Sequence, residues 1–161
     1  MSTKDFSSAQ EKMVANYLGW NVVSGSGARP FHAGDVWSDG WLGECKTHVK
    51  IGDRITFYKS HWRKICKEAD SCMKKPILIT DFGTQKPEDT FVVFNEFHAD
   101  LDTLPIQLVD NIHDGVNISF DPEIFYEALQ ATNKQGIVTV LCSKRIVITT
   151  LNIFKEMLER I

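Results

Sequence analysis

The sequence predicts a mixed α/β (α+β) fold, helices packed around a central mixed sheet, and three observations carry that expectation. The first segment has apolar residues at helical spacing, Asp39-Gly40 lies between two strand-like runs, and apolar strand candidates then alternate with helical patterns. The 161 residues fit one ordinary domain able to bury a sizeable core. An apolar fraction of 43% and a charged fraction of 24% are those of a globular protein, and no apolar run approaches the roughly 18 residues of a membrane span. The start, MSTKDFSSAQEK, lacks a basic region followed by an apolar stretch, so no secretory leader is expected. A cytoplasmic location, in a bacterial or phage-infected cell, is expected.

From Phe6 to Leu18, residues Phe6, Ala9, Met13, Val14, Tyr17 and Leu18 share one side of a helix. Ser7 with Gln10, or Ser8 with Glu11, fits a capping box, and Gly19 suits the left-handed residue that ends a helix. Trp20 to Ser24 is a short strand candidate leading into GSGARPFHAG, whose glycines and proline exclude regular structure. Gly34 to Ser38 and Trp41 to Lys46 flank Asp39-Gly40, the strongest short signal for a two-residue hairpin turn. Phe57 to Met73 reads as a basic helix with Trp62, Ile65, Cys66 and Ala69 as its apolar side. Two strands, ILIT and FVVF, come next. Asp121-Pro122-Glu123 starts a helix through about Ala131. A hairpin over Ile137 to Cys142 and Arg145 to Thr149, turning at Ser143-Lys144, precedes a helix from Asn152 to Ile161. The order is helix, three strands, helix, two strands, over a core of about residues 6–95. A C-terminal helix-hairpin-helix appendage spans about 96–161.

The net charge of −3 hides a segregation along the chain. From Gly43 to Lys75 nine basic residues stand against four acidic ones, a local +5 that leaves −8 for the remainder. Within this run Lys59, Arg63, Lys64 and Lys67 lie at helical spacings that would offer a basic stripe to a phosphate backbone, or simply form a solvated face. Trp62 is read as core. Cys45, Cys66, Cys72 and Cys142 lie far apart without a CxxC pair and read as buried or free thiols. A zinc site from Cys66, Cys72, His48 or His61 has suitable ligand types but not the spacing, and none is expected.

The chemistry concentrates on the first hairpin. With Asp39 and Gly40 as central turn residues, antiparallel register pairs Trp37 with Leu42, Val36 with Gly43, and Asp35 with Glu44. Opposed carboxylates repel, and a divalent cation such as Mg²⁺, which takes hard oxygen ligands, would offset the repulsion. Lys46, two residues beyond Glu44, points to the same face. An acid pair holding a metal polarises a phosphate and acidifies a water, while an ammonium orients that water or stabilises developing charge. The other reading is an exposed hairpin with ordinary salt bridges. Glu11 borders the helix's apolar side, where it would either line a cleft or serve as the acidic partner of Ser8 in a cap. Gly25-Ser26-Gly27-Ala28-Arg29 offers backbone amides, a hydroxyl and a guanidinium, an inventory suited to phosphate. His32 and His48 flank the hairpin and read as surface or structural.

Glu11 on a first helix, then GSGARPFHAGDV, LGECKTH, a helix and ILIT form an ordered set. This set resembles the PD-(D/E)XK nuclease superfamily, and within it the Holliday junction resolvase-like branch with its small phage endonucleases, over roughly Gln10 to Phe94. The resemblance implies a restriction-endonuclease-like core and an enzyme that cuts DNA with Mg²⁺, for which Mn²⁺ can substitute. Asp35 and Glu44 would be metal ligands, Glu11 the helix-borne acid beside them, Lys46 the residue that positions water, and Ser26 a neighbour of the scissile phosphate. Ser26, Arg29, Lys59, Arg63 and Lys64 would contact DNA. Family resolvases act as homodimers on branched DNA, so a homodimer is expected, with no membrane and no small-molecule cofactor. Two departures stand out: Gly34 replaces the proline that usually precedes the aspartate, and Gln10 replaces the arginine before the helix acid. Duplex nicking or restriction-like cleavage, an RNA nuclease, and a catalytically silent DNA-binding or assembly module of the same fold remain alternatives.

Overall fold

The computed structural model of the chain describes residues 2–23, 33–104 and 117–160. Four helices pack around a mixed sheet. The first helix, α1, is Thr3–Leu18, and its start differs from the expectation. Ser2 caps it by accepting from the Asp5 amide, and the Asp5 carboxylate accepts from the Ser2 N–H, so the capping box sits about one and a half turns earlier than Ser7 or Ser8 would place it. Gly19, at φ 70°, ends the helix as expected. The buried face of α1 is Gln10, Val14 and Ala15, with Met13, Tyr17 and Leu18 only packed along its edge.

Strands β1 (Asn21–Val22), β2 (Val36–Trp37) and β3 (Trp41–Lys46) are antiparallel neighbours. A short strand β4 (Ile55–Phe57) precedes α2 (Lys59–Ser71), which returns the chain to β5 (Lys75–Asp81), parallel to β3. After β6 (Thr90–Asn95) come β7 (Thr103–Leu104), β8 (Ile118–Phe120), α3 (Pro122–Thr132), β9 (Gly136–Leu141), β10 (Lys144–Thr150) and α4 (Leu151–Glu159). The main sheet has the order β1-β2-β3-β5-β6-β10-β9-β7, and β4 pairs with β8 in a second, two-stranded sheet. Far from standing apart, β10 pairs with β6 across Ile146–Asn95 to Thr150–Phe91 and draws the C-terminal segment into the central sheet. The β9–β10 turn also shifts by one residue. Its central residues are Cys142 and Ser143, at φ 52° and 62°, and Lys144 already pairs with Leu141. Two left-handed residues are what a tight hairpin of this twist demands.

Strand alternation sorts the core into two layers. Ile77, Ile79, Val92, Phe94 and Val147 face Val14, Phe154 and Met157 from α1 and α4. Leu78, Phe91, Val93, Ile146 and Ile148 face Trp62, Ile65, Phe125 and Leu129 from α2 and α3. Two glycines shape the first hairpin. A Cβ on Gly43 would lie 2.8 Å from Val36 Cγ2, 3.2 Å from Ile79 Cδ1 and 3.3 Å from Ile77 Cγ2, so β3 threads between its neighbours only without a side chain there. Gly34 adopts φ 70°. Its N–H donates to the Glu68 carboxylate on α2 at 2.9 Å. Proline, with its φ near −65° and no N–H, could serve neither requirement.

Among the described residues no helix is long and apolar enough to cross a membrane. The four cysteines are free thiols, Cys45 buried and Cys72 exposed.

Candidate active site

Strand β3 carries the centre of the candidate site at its C-terminal end. Glu44 and Lys46 share the face that α2 covers, where Glu44 is only 2% exposed. Lys46 Nζ lies 2.7 Å from Glu44 Oε1, and Lys64 Nζ, reaching in from α2, lies 2.9 Å from Glu44 Oε2. Burial alone would raise the Glu44 carboxyl, but hydrogen bonds and charge from the two lysines hold it below its ordinary value. Lys64 was expected on an outward basic stripe. The structure instead pairs it with Glu44, and Glu68 stands 3.6 Å away on the next turn of α2. Its pKa is raised: burial acts downward, but the bond to Glu44 outweighs it.

Asp35 is pinned on three sides. Its N–H donates to the Gly43 carbonyl and its own carbonyl accepts from Val23 N–H, each at 2.8 Å. Its Oδ2 accepts from the Cys45 N–H at 2.8 Å. The expected pairs Val36–Gly43 and Trp37–Leu42 are present, but the regular ladder stops there. Asp35 bonds to Gly43 rather than facing Glu44, an offset of one residue allowed by the left-handed turn at Gly34. The two carboxylates still sense one another. Burial, then the charge of Glu44, pushes the Asp35 carboxyl up to about 6, against the Cys45 amide, Lys46 and Lys64.

Glu11 approaches from α1. Because that helix is capped by Ser2 and Asp5, Glu11 is no capping partner, and it lies near enough to be acted on by the charges at the end of β3. Burial, followed by Asp35 and Glu44, pushes its carboxyl up to about 7 while Lys46 opposes the shift. One residue earlier, the buried Gln10 donates from Nε2 to the Lys46 carbonyl at 2.6 Å and ties α1 to the end of β3.

Glu11, Asp35 and Glu44 each bring the hard carboxylate oxygen that Mg²⁺ prefers, and burial, then the neighbouring carboxylates, raises the pKa of Glu11 and Asp35. The arrangement is not a closed cage. Among the described residues no three His, Cys, Asp or Glu side chains are grouped so as to hold an ion, and both oxygens of Glu44 are held by lysines.

No protein-family profile, curated protein or solved structure matches this chain. The site is therefore read from its own geometry.

Of the other expected contacts, Ser26 and Arg29 lie outside the described residues, as does His32. Arg63 is exposed on α2, and the backbone N–H of Lys59 donates to Asn117 Oδ1 at 3.0 Å. Several site neighbours escaped sequence reasoning. Glu68 fixes Gly34, the residue before Asp35, and its i,i+4 relation to Lys64 was a readable signal. Gln10 was readable as a polar residue four positions from Phe6 and Val14 on an apolar stripe. His61, near Lys46 and Glu44, is kept below its ordinary pKa by burial and then by the Lys46 charge.

Proposed function

We propose that this chain is a metal-dependent endonuclease of the PD-(D/E)XK type that hydrolyses phosphodiester bonds in DNA, with branched DNA such as a Holliday junction as its preferred substrate and a homodimer as its working form. One observation carries the reading: Glu11 on α1 and Asp35, just before β2, both feel the charges of Glu44 and Lys46 at the end of β3, where Lys46 pairs with Glu44. Support also comes from the order α1, β1 to β3, α2, β5 and β6, with β3 and β5 parallel, as in a restriction-endonuclease-like core.

Asp35 and Glu44 would hold Mg²⁺, or Mn²⁺ in its place, with Glu11 beside them; the cation supplies phosphate polarisation and an acidified water. The chain's own part is placement. The Cys45 and Gly43 backbone fixes Asp35, and Gln10 fixes the carbonyl of Lys46. The Lys46 side chain, 38% exposed, remains open enough for a phosphate and an attacking water to approach its ammonium. Lys64, 53% exposed, adds a second cation at the same place.

The test is cleavage of a four-way junction beside a linear duplex with Mg²⁺. Paired symmetric nicks in the junction support the branched-DNA reading, and equal cutting of both substrates points to a general duplex nuclease. Glu44→Ala should abolish cutting and Lys46→Ala should slow it roughly 100-fold or more; if either cuts as the native protein does, the site is misassigned. A second reading, a catalytically silent DNA-binding module, is favoured by the lysines on both Glu44 oxygens. It requires junction binding without cleavage in either metal.

A further inference from the structure

Three residues beyond Lys46 the chain carries an exposed apolar pair on a braced loop. Val49 is 58% and Ile51 72% exposed, and among the exposed large apolar residues described, only these two are within two positions of each other. Single exposed apolar side chains are ordinary, and an apolar pair on a slack loop would mean little. This loop is held backbone to backbone. Gly83, at φ 112°, packs so closely that a Cβ on it would lie 3.0 Å from the His48 carbonyl, the Ile51 Cα and the Lys50 carbonyl. Gly52 N–H donates to the Phe82 carbonyl at 2.8 Å. Beneath both segments the buried Asp81 accepts through one oxygen, Oδ1, from the Thr47 hydroxyl at 2.5 Å and the Gly83 N–H at 2.9 Å. The apolar pair is thus presented by a preformed support, and much of the ordering cost of binding is already met. Lys50 lies between the two side chains in sequence and is exposed, while Lys46 begins the same segment.

Aliphatic side chains on either side of the exposed Lys50, next in the chain to the proposed site at Lys46, match one occupant by both parts of their chemistry: stacked bases for the aliphatic groups, flanking phosphates for the ammonium groups. A continuous duplex keeps its base faces covered. A branch point exposes or loosens a base step, where a wedge costs least. We infer that residues 48–52 form a wedge, placing Val49 and Ile51 against an unstacked base step of branched DNA next to the phosphate handled by Lys46. This inference rests on the nuclease reading and specifies how that site would select its substrate.

The test uses the full chain in EDTA with a four-way junction carrying 2-aminopurine at the branch point, beside a linear duplex with the same label. The native protein should raise junction fluorescence by at least about twofold, and Val49→Ser/Ile51→Ser should lose that rise and weaken junction binding about tenfold while duplex binding stays unchanged. Gly83→Ala, whose methyl group would press on the loop backbone, should shift the junction signal in the same direction. The thermal midpoint of the double variant should match the native one, because both side chains are exposed. A native signal retained in the double variant overturns the wedge, as does equal weakening on both substrates or no fluorescence rise with native protein. A wedge signal without cleavage in Mg²⁺ or Mn²⁺ would instead refute the nuclease reading and leave the wedge standing.

Discussion

Across β6, β10 and β9 the buried side chains are uncharged and mostly aliphatic or aromatic, from Phe91 and Val93 through Ile146 and Ile148 to Ile137, each at most 1% exposed, with Thr90, Thr139, Thr149 and Thr150 as the polar ones. Along β2 and β3, at the other side of the same sheet, the chain buries Glu44 at 2% exposure and draws Asp35 and Glu11 toward it. The first region gains free energy chiefly from apolar burial and buries no charge. The second carries a desolvation cost only partly offset by Lys46 and Lys64. The difference teaches that stability and proposed chemistry are housed in separate strands, and substitutions should separate them.

The largest effect on folding is expected at Phe91, whose ring packs against Phe120, Phe125 and Tyr126. Phe91→Ala should cost roughly 3–5 kcal/mol in chemical denaturation, with cleavage per folded molecule unaltered. At Lys46 the expectation reverses: Lys46→Ala should lower the cleavage rate roughly 100- to 1000-fold while stability falls by less than at Phe91, because Lys64 still pairs with the buried Glu44. A stability loss at Lys46 rivalling that at Phe91 would erase the contrast between the two regions.

A smaller effect runs against the direction usual for a salt-bridged carboxylate. Asp35 is raised to about 6 and Glu11 to about 7, so in the metal-free protein each adds stability below its ordinary carboxylate range and loses it as the pH rises through those values. Asp35→Asn, without divalent cations, should therefore stabilise the protein at pH 8 by about 1–2 kcal/mol, allowing for solvent screening, and the gain should vanish near pH 3. Thermal midpoints across that range in EDTA would show it; a variant less stable than native at pH 8 would mean that the Cys45 amide outweighs the repulsion. Mg²⁺ at a hundredfold excess over its Kd should stabilise the native protein by about 2.7 kcal/mol and the Asp35→Asn variant far less. The smallest effect is expected at Glu68, where Glu68→Gln weakens the hold on the Gly34 N–H and should cost under about 1 kcal/mol. Cleavage should fall only a few fold, which steady-state rates would resolve.

The long elements were legible because their periodicity is local: α2 and β3 lie within the expected segments, β5 and β6 contain the expected ILIT and FVVF and run one or two residues past them at each end, and the turn at Asp39-Gly40 set the pairs Val36–Gly43 and Trp37–Leu42. Strands β4, β7 and β8 were not legible. Each is only two or three residues long, and β4 and β8 pair across more than 60 residues of chain, so no short window contains the partner that makes them strands. The joining of β10 to β6 is long-range in the same way. At the site, Glu44 and Lys46 shared a face as alternation requires, but the offset at Asp35 depended on Gly34 turning left-handed and on Glu68 receiving its amide from another element. Lys64 could be placed on a helix but not turned inward, because what turns it is a buried carboxylate on a strand some twenty residues earlier.

The closeness of Val36, Ile77 and Ile79 around Gly43 bears on how freely the strand that carries Glu44 and Lys46 can be redesigned. A randomised library over Trp41 to Lys46, selected only for soluble expression, should tolerate exchange at Lys46 and keep glycine at position 43, since Val36 is fully buried and branched and has nowhere to retreat. The residue with no side chain would then be the least replaceable letter in the strand, and its invariance in such a selection would report on packing without any reference to activity.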